Sequence, residues 1–166
     1  MAILRHIETL VPETIYPLDD LGVSLSSRTE CSRAKRYISK VHKESGIEKR
    51  HCVVSDLIQM PGEGSLFWND DGSAREPTTG ERNAIYVEEA RRLIPVISRM
   101  AVESCLGLSA SDITHVITVS CTGFFNPGPD LLVIEALDLP ATVQRYHLGF
   151  MGCYAAFPAL KMAAQF

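Results

Sequence analysis

The run Ile113-Thr114-His115-Val116-Ile117-Thr118-Val119-Ser120-Cys121 is almost continuously apolar and β-branched. That pattern suits a strand covered on both faces of a sheet. A Gly/Pro-rich turn over residues 122–130 follows it, then a short helical stretch over 131–137 and a second strand-like run over 141–148. Strands alternating with helices predict an α/β fold with a largely parallel sheet. The second run leads into Gly149-Phe150-Met151-Gly152-Cys153-Tyr154-Ala155-Ala156, and a small-residue helical stretch leads out of it. A cysteine on such a turn faces the free N–H groups and the dipole of the helix that follows. Both favour a thiolate, below the ordinary thiol value of about 8.5. The competing reading is an inert buried thiol, because free cysteine is among the most buried residue types.

Composition narrows the function classes. With 166 residues, the chain suits one domain with a sizeable core. A net charge of −4 and the absence of any Lys/Arg block give no electrostatic case for nucleic acid. No run approaches membrane-spanning length, and the N-terminus lacks the apolar stretch of a signal peptide. The five cysteines, Cys31, Cys52, Cys105, Cys121 and Cys153, include no C-x-x-C pair, and the five histidines include no ligand-spaced pair. No metal and no cofactor are therefore expected, and reduced thiols in a cytoplasmic setting are the simpler reading.

Upstream, residues 2–11 alternate loosely and read as a first strand, ended by Pro12. Pro17, Asp19, Asp20 and Gly22 read as a loop. Ser27 or Thr29 is the expected N-cap of a helix running to about Ser45, with Ala34, Tyr37, Ile38 and Val41 on one face and Gly46 at its C′ position. Residues 47–54 read as a charged turn entering a short strand. Residues 56–79 form a long Pro/Gly/Asn/Asp/Ser-rich loop in which Trp68 is expected to be a packing anchor. Thr78 and Glu81 have capping-box spacing at the start of the longest helix. Its buried stripe is Tyr86, Ala90, Leu93, Ile97, Met100, Ala101 and Ser104, Pro95 should kink it and Gly107 stops it.

Several of these pieces belong together. Ile113-Thr114-His115 before a strand, Cys121-Thr122-Gly123, Asn126-Pro127-Gly128-Pro129-Asp130 and the Gly152-Cys153 turn resemble the chalcone/stilbene synthase-like type III polyketide synthases. Ile47-Glu48-Lys49-Arg50, the helix start at Thr78 and Pro95 agree, so the resemblance spans residues 1–166. It implies a thiolase-like fold, of which this chain is the N-terminal part of the first of two duplicated halves. It also implies an acyltransferase in which Cys153 takes an acyl group from acyl-CoA. Malonyl-CoA then decarboxylates to an enolate that attacks the bound acyl group, and the enzyme is a homodimer. Thiolates attack and leave thioesters readily, which suits a cysteine to that role.

By the same resemblance, Cys121 and Thr122 stand at the entrance to the initiation pocket, although a buried strand end is the alternative for both. The basic residues that hold CoA phosphates in plant members fall near Val41, Glu44 and Glu48. Lys49 and Arg50, with Lys40 and Lys43, are the substitutes, and a carrier-protein donor is the alternative to CoA. Asn126 replaces a Met that family members project into the neighbouring subunit. The family's catalytic His and Asn have no counterpart up to Phe166, so the chain alone is expected not to turn over. His147 reads as a core or interface residue rather than a base, and His115 as a structural one.

Two other readings compete. One is a single condensation of the ketoacyl-carrier-protein synthase III kind, against which the Pro-Gly-Pro-Asp turn argues. The other is a non-catalytic half-fold partner or dimerisation module. A cysteine hydrolase is disfavoured, because its nucleophile elbow would want glycine where Met151 and Ala155 stand.

Overall fold

In the computed structural model, which describes residues 2–58 and 65–166, strands and helices alternate as the sequence predicts, but the pairing differs. The chain divides into two compact units, Val11–Thr78 and Met1–Leu10 with Thr79–Phe166. Each holds one two-stranded sheet, antiparallel in the first and parallel in the second. The expectation of a largely parallel sheet thus holds for one pair only.

In the Val11–Thr78 unit, β1 (Thr14–Pro17) pairs with β2 (Lys49–Cys52), from Thr14 opposite Cys52 to Pro17 opposite Lys49. Residues 2–11 are not a strand. Ile3, Leu4 and Ile7 are all exposed, so their loose alternation buries no face. The expected loop at Pro17–Gly22 is instead the start of α1 (Leu18–Ser27). Pro17, at φ −55°, precedes the first turn, and Asp19 and Asp20 lie in it, where carboxylates meet the positive end of the helix dipole. Gly22 is accommodated because a Cβ there would lie 3.3 Å from the His42 ring of α2 (Ser32–Glu44).

The cap of α2 is also displaced from the expected one. Ser27 ends α1, and Cys31 occupies the N-cap position of α2, its N–H donating to Thr29 Oγ1 at 3.2 Å. Helix α2 buries no residue fully, and Tyr37 and Val41 of its predicted stripe are exposed. Gly46, at φ +66°, terminates it as predicted. Tyr16, Leu18 and Leu21 form the core of this unit, packed by Ile47, Cys52, Leu57 and Ile58.

The long loop is tied by its own polar groups, and its residues 59–64 lie outside the described ones. Asp56 accepts hydrogen bonds from Ser65 Oγ and from the N–H groups of Leu66 (2.7 Å) and Phe67 (3.2 Å). Trp68 Nε1 donates to the Asp56 carbonyl at 2.6 Å, and the Arg28 guanidinium lies 4.6 Å from its ring centroid. Trp68 is the packing anchor that the sequence predicts.

In the other unit, α3 (Thr79–Ser104) begins directly after Thr78 and contains Pro95. Its stripe is mostly half-buried, with Ala90 buried and Ser104 exposed. Gly107 follows at φ +71°. Strand β3 (His115–Ser120) then pairs in parallel with β4 (Gln144–Gly149), from His115 opposite Gln144 to Ser120 opposite Gly149. The crossover is α4 (Pro129–Ala136), which starts on a proline whose missing N–H costs nothing in a first turn. Val116, Leu139 and Val143 form the core here, packed by Ile113, Val133, Ile134 and Leu137. Val119 stays exposed, so β3 is covered less completely than its apolar run predicts.

Candidate functional site at the strand ends

Parallel register decides where the chemistry gathers. Because Ser120 pairs with Gly149, the chain leaves β3 and β4 side by side at their carboxyl ends. Residues 121–124 leave from one strand and residues 150–153 from the other. The carboxyl ends of such strands are where open α/β sheets bind ligands.

Two unusual backbone conformations aim the second exit. Phe150 has φ +58°, and Gly152 has φ +79° with ψ −177°, a region essentially reserved for glycine. A Cβ on Gly152 would meet nothing within 4 Å, so the glycine serves the backbone rather than making space. Cys153 then opens a 3₁₀ turn, Cys153–Ala155, that runs into α5 (Ala156–Ala163). Ala155 and Ala159 are buried beneath it, whereas Cys153 is exposed rather than buried as an inert core thiol.

The first exit is held by α3. Asn83 clasps Phe124 from both sides, its Oδ1 accepting from the Phe124 N–H and its Nδ2 donating to the Phe124 carbonyl, each at 2.9 Å. Gly123 lets the turn lie against Tyr86, since a Cβ there would sit 2.1 Å from Tyr86 Cγ. The Phe124 and Phe150 rings meet at 5.6 Å and join the two exits. Thr79, Arg82, Asn83, residues 121–124 and Phe150 line a pocket of about 190 Å³. That is below the roughly 300–1,000 Å³ of small-molecule pockets.

Desolvation by neighbouring atoms raises the Cys121 pKa above its ordinary value, and the nearby Cys153 thiol pushes it the same way. A cysteine eased toward the thiolate at a helix start is found at Cys31, where the N–H groups of Ala34 and Arg33 lower its pKa.

Of the sequence candidates, Cys121, Thr122 and Cys153 come together at the strand ends. Cys121 and Thr122 are exposed, which sets aside their reading as a buried strand end. Lys49 and Arg50 are exposed on β2 in the other unit and do not line this pocket. His147 is exposed rather than in the core, and its Nδ1 meets Thr118 Oγ1 at 2.8 Å. His115 stacks on Phe166 at 4.3 Å, and its Nδ1 meets Thr114 Oγ1 at 2.9 Å. Asn83, Tyr86 and Phe150 were not singled out as site residues. A polar side chain on a long helix and a phenylalanine in a glycine turn carry no signal of their own. Among the described residues no cluster of His, Cys, Asp or Glu could hold a metal ion, and no helix is long and apolar enough to cross a membrane.

Comparison with known proteins agrees with this geometry. The family model for chalcone and stilbene synthases, N-terminal domain, matches residues 1–166. The chain is 25% identical over 169 residues to 1,3,6,8-tetrahydroxynaphthalene synthase of Streptomyces coelicolor, covering all of this chain and 40% of that protein. It is 36% identical over 85 residues to phloroglucinol synthase of Pseudomonas fluorescens, covering 51% of this chain and 24% of that protein. The crystal structure of PKS-I from the brown alga Ectocarpus siliculosus superposes with a TM-score of 0.70 at 30% identity, over 92% of this chain and 40% of that one. The chain therefore spans about 40% of the length of its full-coverage relatives. Its fold is the α/β, thiolase-like one of these enzymes, and the chain belongs to the chalcone and stilbene synthase family of type III polyketide synthases, as its N-terminal domain.

Proposed function

We propose that Cys153 is the acyl-carrying nucleophile of a decarboxylative condensation in polyketide biosynthesis. The thiolate attacks the thioester carbonyl of an acyl-CoA, and coenzyme A leaves with its sulfur. Malonyl-CoA loses carbon dioxide, its enolate attacks the acyl carbonyl, and the Cys153 thiolate is expelled. The observation that carries this reading is the pair of side-by-side strand exits. They present an exposed Cys153 at the carboxyl end of a parallel pair, on a turn that only glycine at 152 permits.

In this reading Thr122 and Cys121 shape the starter pocket. Lys49 and Arg50 meet the phosphates of CoA, or the acidic surface of a carrier protein that delivers the acyl group. The enzyme is a cytoplasmic homodimer, and residues 1–166 form its N-terminal thiolase-like domain. A condensing site also needs fixed donors for the enolate and the tetrahedral oxyanion. His115 and His147 are engaged with Thr114 and Thr118. The chain alone therefore loads an acyl group but does not complete the condensation. That favours, as a second reading, a partner module that keeps the half-fold without turnover. Incubation with acyl-CoA and malonyl-CoA tests both. Acylation of Cys153 without polyketide product fits the first, and no acylation at all fits the second.

A further inference from the structure

The pocket beside the strand exits holds a cation as well as a thiol. Arg82 and Cys121 both line it, and no carboxylate among the described residues does. All of its lining residues belong to one compact unit. Arg82 is the fourth residue of α3. A cation there opposes the positive end of the helix dipole, so helix stability does not explain the choice. The Arg82 Nη2 donates to Thr79 Oγ1 at 3.2 Å. That bond steadies the guanidinium at the pocket wall and uses one donor of a fork that carries several. Asn83 is committed elsewhere, since both ends of its amide hold the Phe124 backbone. The apolar part of the lining is the Phe124 and Phe150 ring pair. The register of β3 and β4 sets residues 121–124 of this lining beside the turn that carries Cys153. Aromatic rings and a guanidinium in one pocket suit an aliphatic stem that ends in an anion.

We propose that Arg82 selects the starter, and that the pocket takes a short acyl group ending in a carboxylate, an ω-carboxyacyl thioester such as succinyl or glutaryl. This rests on the reading of Cys153 as the acyl-carrying residue and goes beyond it by naming the class of acyl group. The methylene stem lies against Phe124 and Phe150, and the terminal carboxylate accepts from the Arg82 guanidinium in a charge-assisted bond. The Thr122 hydroxyl belongs to the same lining and offers the carboxylate a second donor. A neutral acyl group of equal length leaves the guanidinium to water and forgoes that bond. Arg82 and Thr79 are exposed, so the pocket opens to solvent. The expected discrimination is therefore about tenfold, the low end for a hydrogen bond to a charged group.

Matched pairs of acyl-CoA test this in the full chain. Equal amounts of glutaryl-CoA and valeryl-CoA, or of succinyl-CoA and butyryl-CoA, compete for Cys153. Intact mass spectrometry reads the early ratio after subtraction of the Cys153→Ala background. The acid is expected to load about tenfold faster than its neutral match in at least one pair. Arg82→Gln should erase that ratio and Arg82→Lys keep part of it. Equal loading of acid and neutral match would overturn the proposal. Both members of a pair carry the same CoA phosphates. Slowing of both by Arg82→Gln with the ratio intact would therefore place Arg82 on coenzyme A and overturn it too. A second measurement does not need Cys153. The S-acyl thioesters glutaryl- and valeryl-N-acetylcysteamine are titrated into isotope-labelled Cys153→Ala chain while the Arg82 Nε resonance is followed by NMR. A shift with the glutaryl thioester alone supports the carboxylate site even if no acyl-CoA loads Cys153, an outcome that removes only the nucleophile reading. Equal shifts with both thioesters, or none with either, would overturn the proposal.

Discussion

One oxygen of Asp56 takes hydrogen bonds from Ser65, Leu66 and Phe67. Desolvation alone would raise its pKa, but these donors outweigh it and hold the carboxyl below its ordinary value. A depressed folded-state pKa means stabilisation that is present above the ordinary carboxylate value of about 3.9 and is lost as pH falls through the lowered one. The loop around Trp68 should therefore loosen only below about pH 4. As the lone tryptophan, Trp68 reports this by its fluorescence. Asp56→Asn should remove the acid transition, whereas a transition near neutral pH would contradict the assignment. Gly152 gives the second residue-scale prediction. Since a Cβ there touches nothing, Gly152→Ala should cost only the backbone conformation, about 1–3 kcal/mol in urea unfolding. An unchanged midpoint would mean that the turn does not require its left-handed glycine.

Among the elements, α3 locates the site without contributing chemistry. Gly123→Ala would drive a Cβ to 2.1 Å from Tyr86 Cγ and 2.7 Å from Tyr86 Cβ. The expected destabilisation is about 1–3 kcal/mol, and Tyr86→Ala in the same chain should relieve part of it. A double-mutant cycle with no coupling would show that the turn and the helix do not press on each other. At this scale α3, β3, α4 and β4 were legible, because long periodic or β-branched runs leave little choice of structure. Helix α1 was not, because Asp19, Asp20 and Gly22 are turn formers in isolation. They become helix residues only once Pro17 fixes the entry and His42 packs against Gly22. The first strand was misplaced because alternation alone says nothing about whether a partner strand exists for it. The Asn83 clasp was illegible for a similar reason, as it joins residues 41 apart in sequence.

For the whole molecule, the apolar surface around Cys153 is the notable quantity. Phe150 is 79% exposed, Phe157 67%, Leu160 59% and Tyr154 56%, all within one short segment. Clustered exposure of this kind marks a surface that associates. The chain is therefore expected to self-associate with rising concentration in sedimentation velocity, and Phe157→Glu with Leu160→Glu to weaken that association. A single monomeric species at every concentration would contradict it. Family and fold were legible in the sequence, since motif spacing survives where overall identity is only 25%. That the chain divides into two compact units, with Lys49 and Arg50 in one and Cys121 and Cys153 in the other, was not. The central claim is tested most directly by intact and peptide mass spectrometry after incubation with an acyl-CoA. The account predicts one acyl group on the peptide of residues 146–161, removed by hydroxylamine and absent from Cys153→Ala. An unmodified Cys153, or equal acylation of the Cys153→Ala chain, would contradict it.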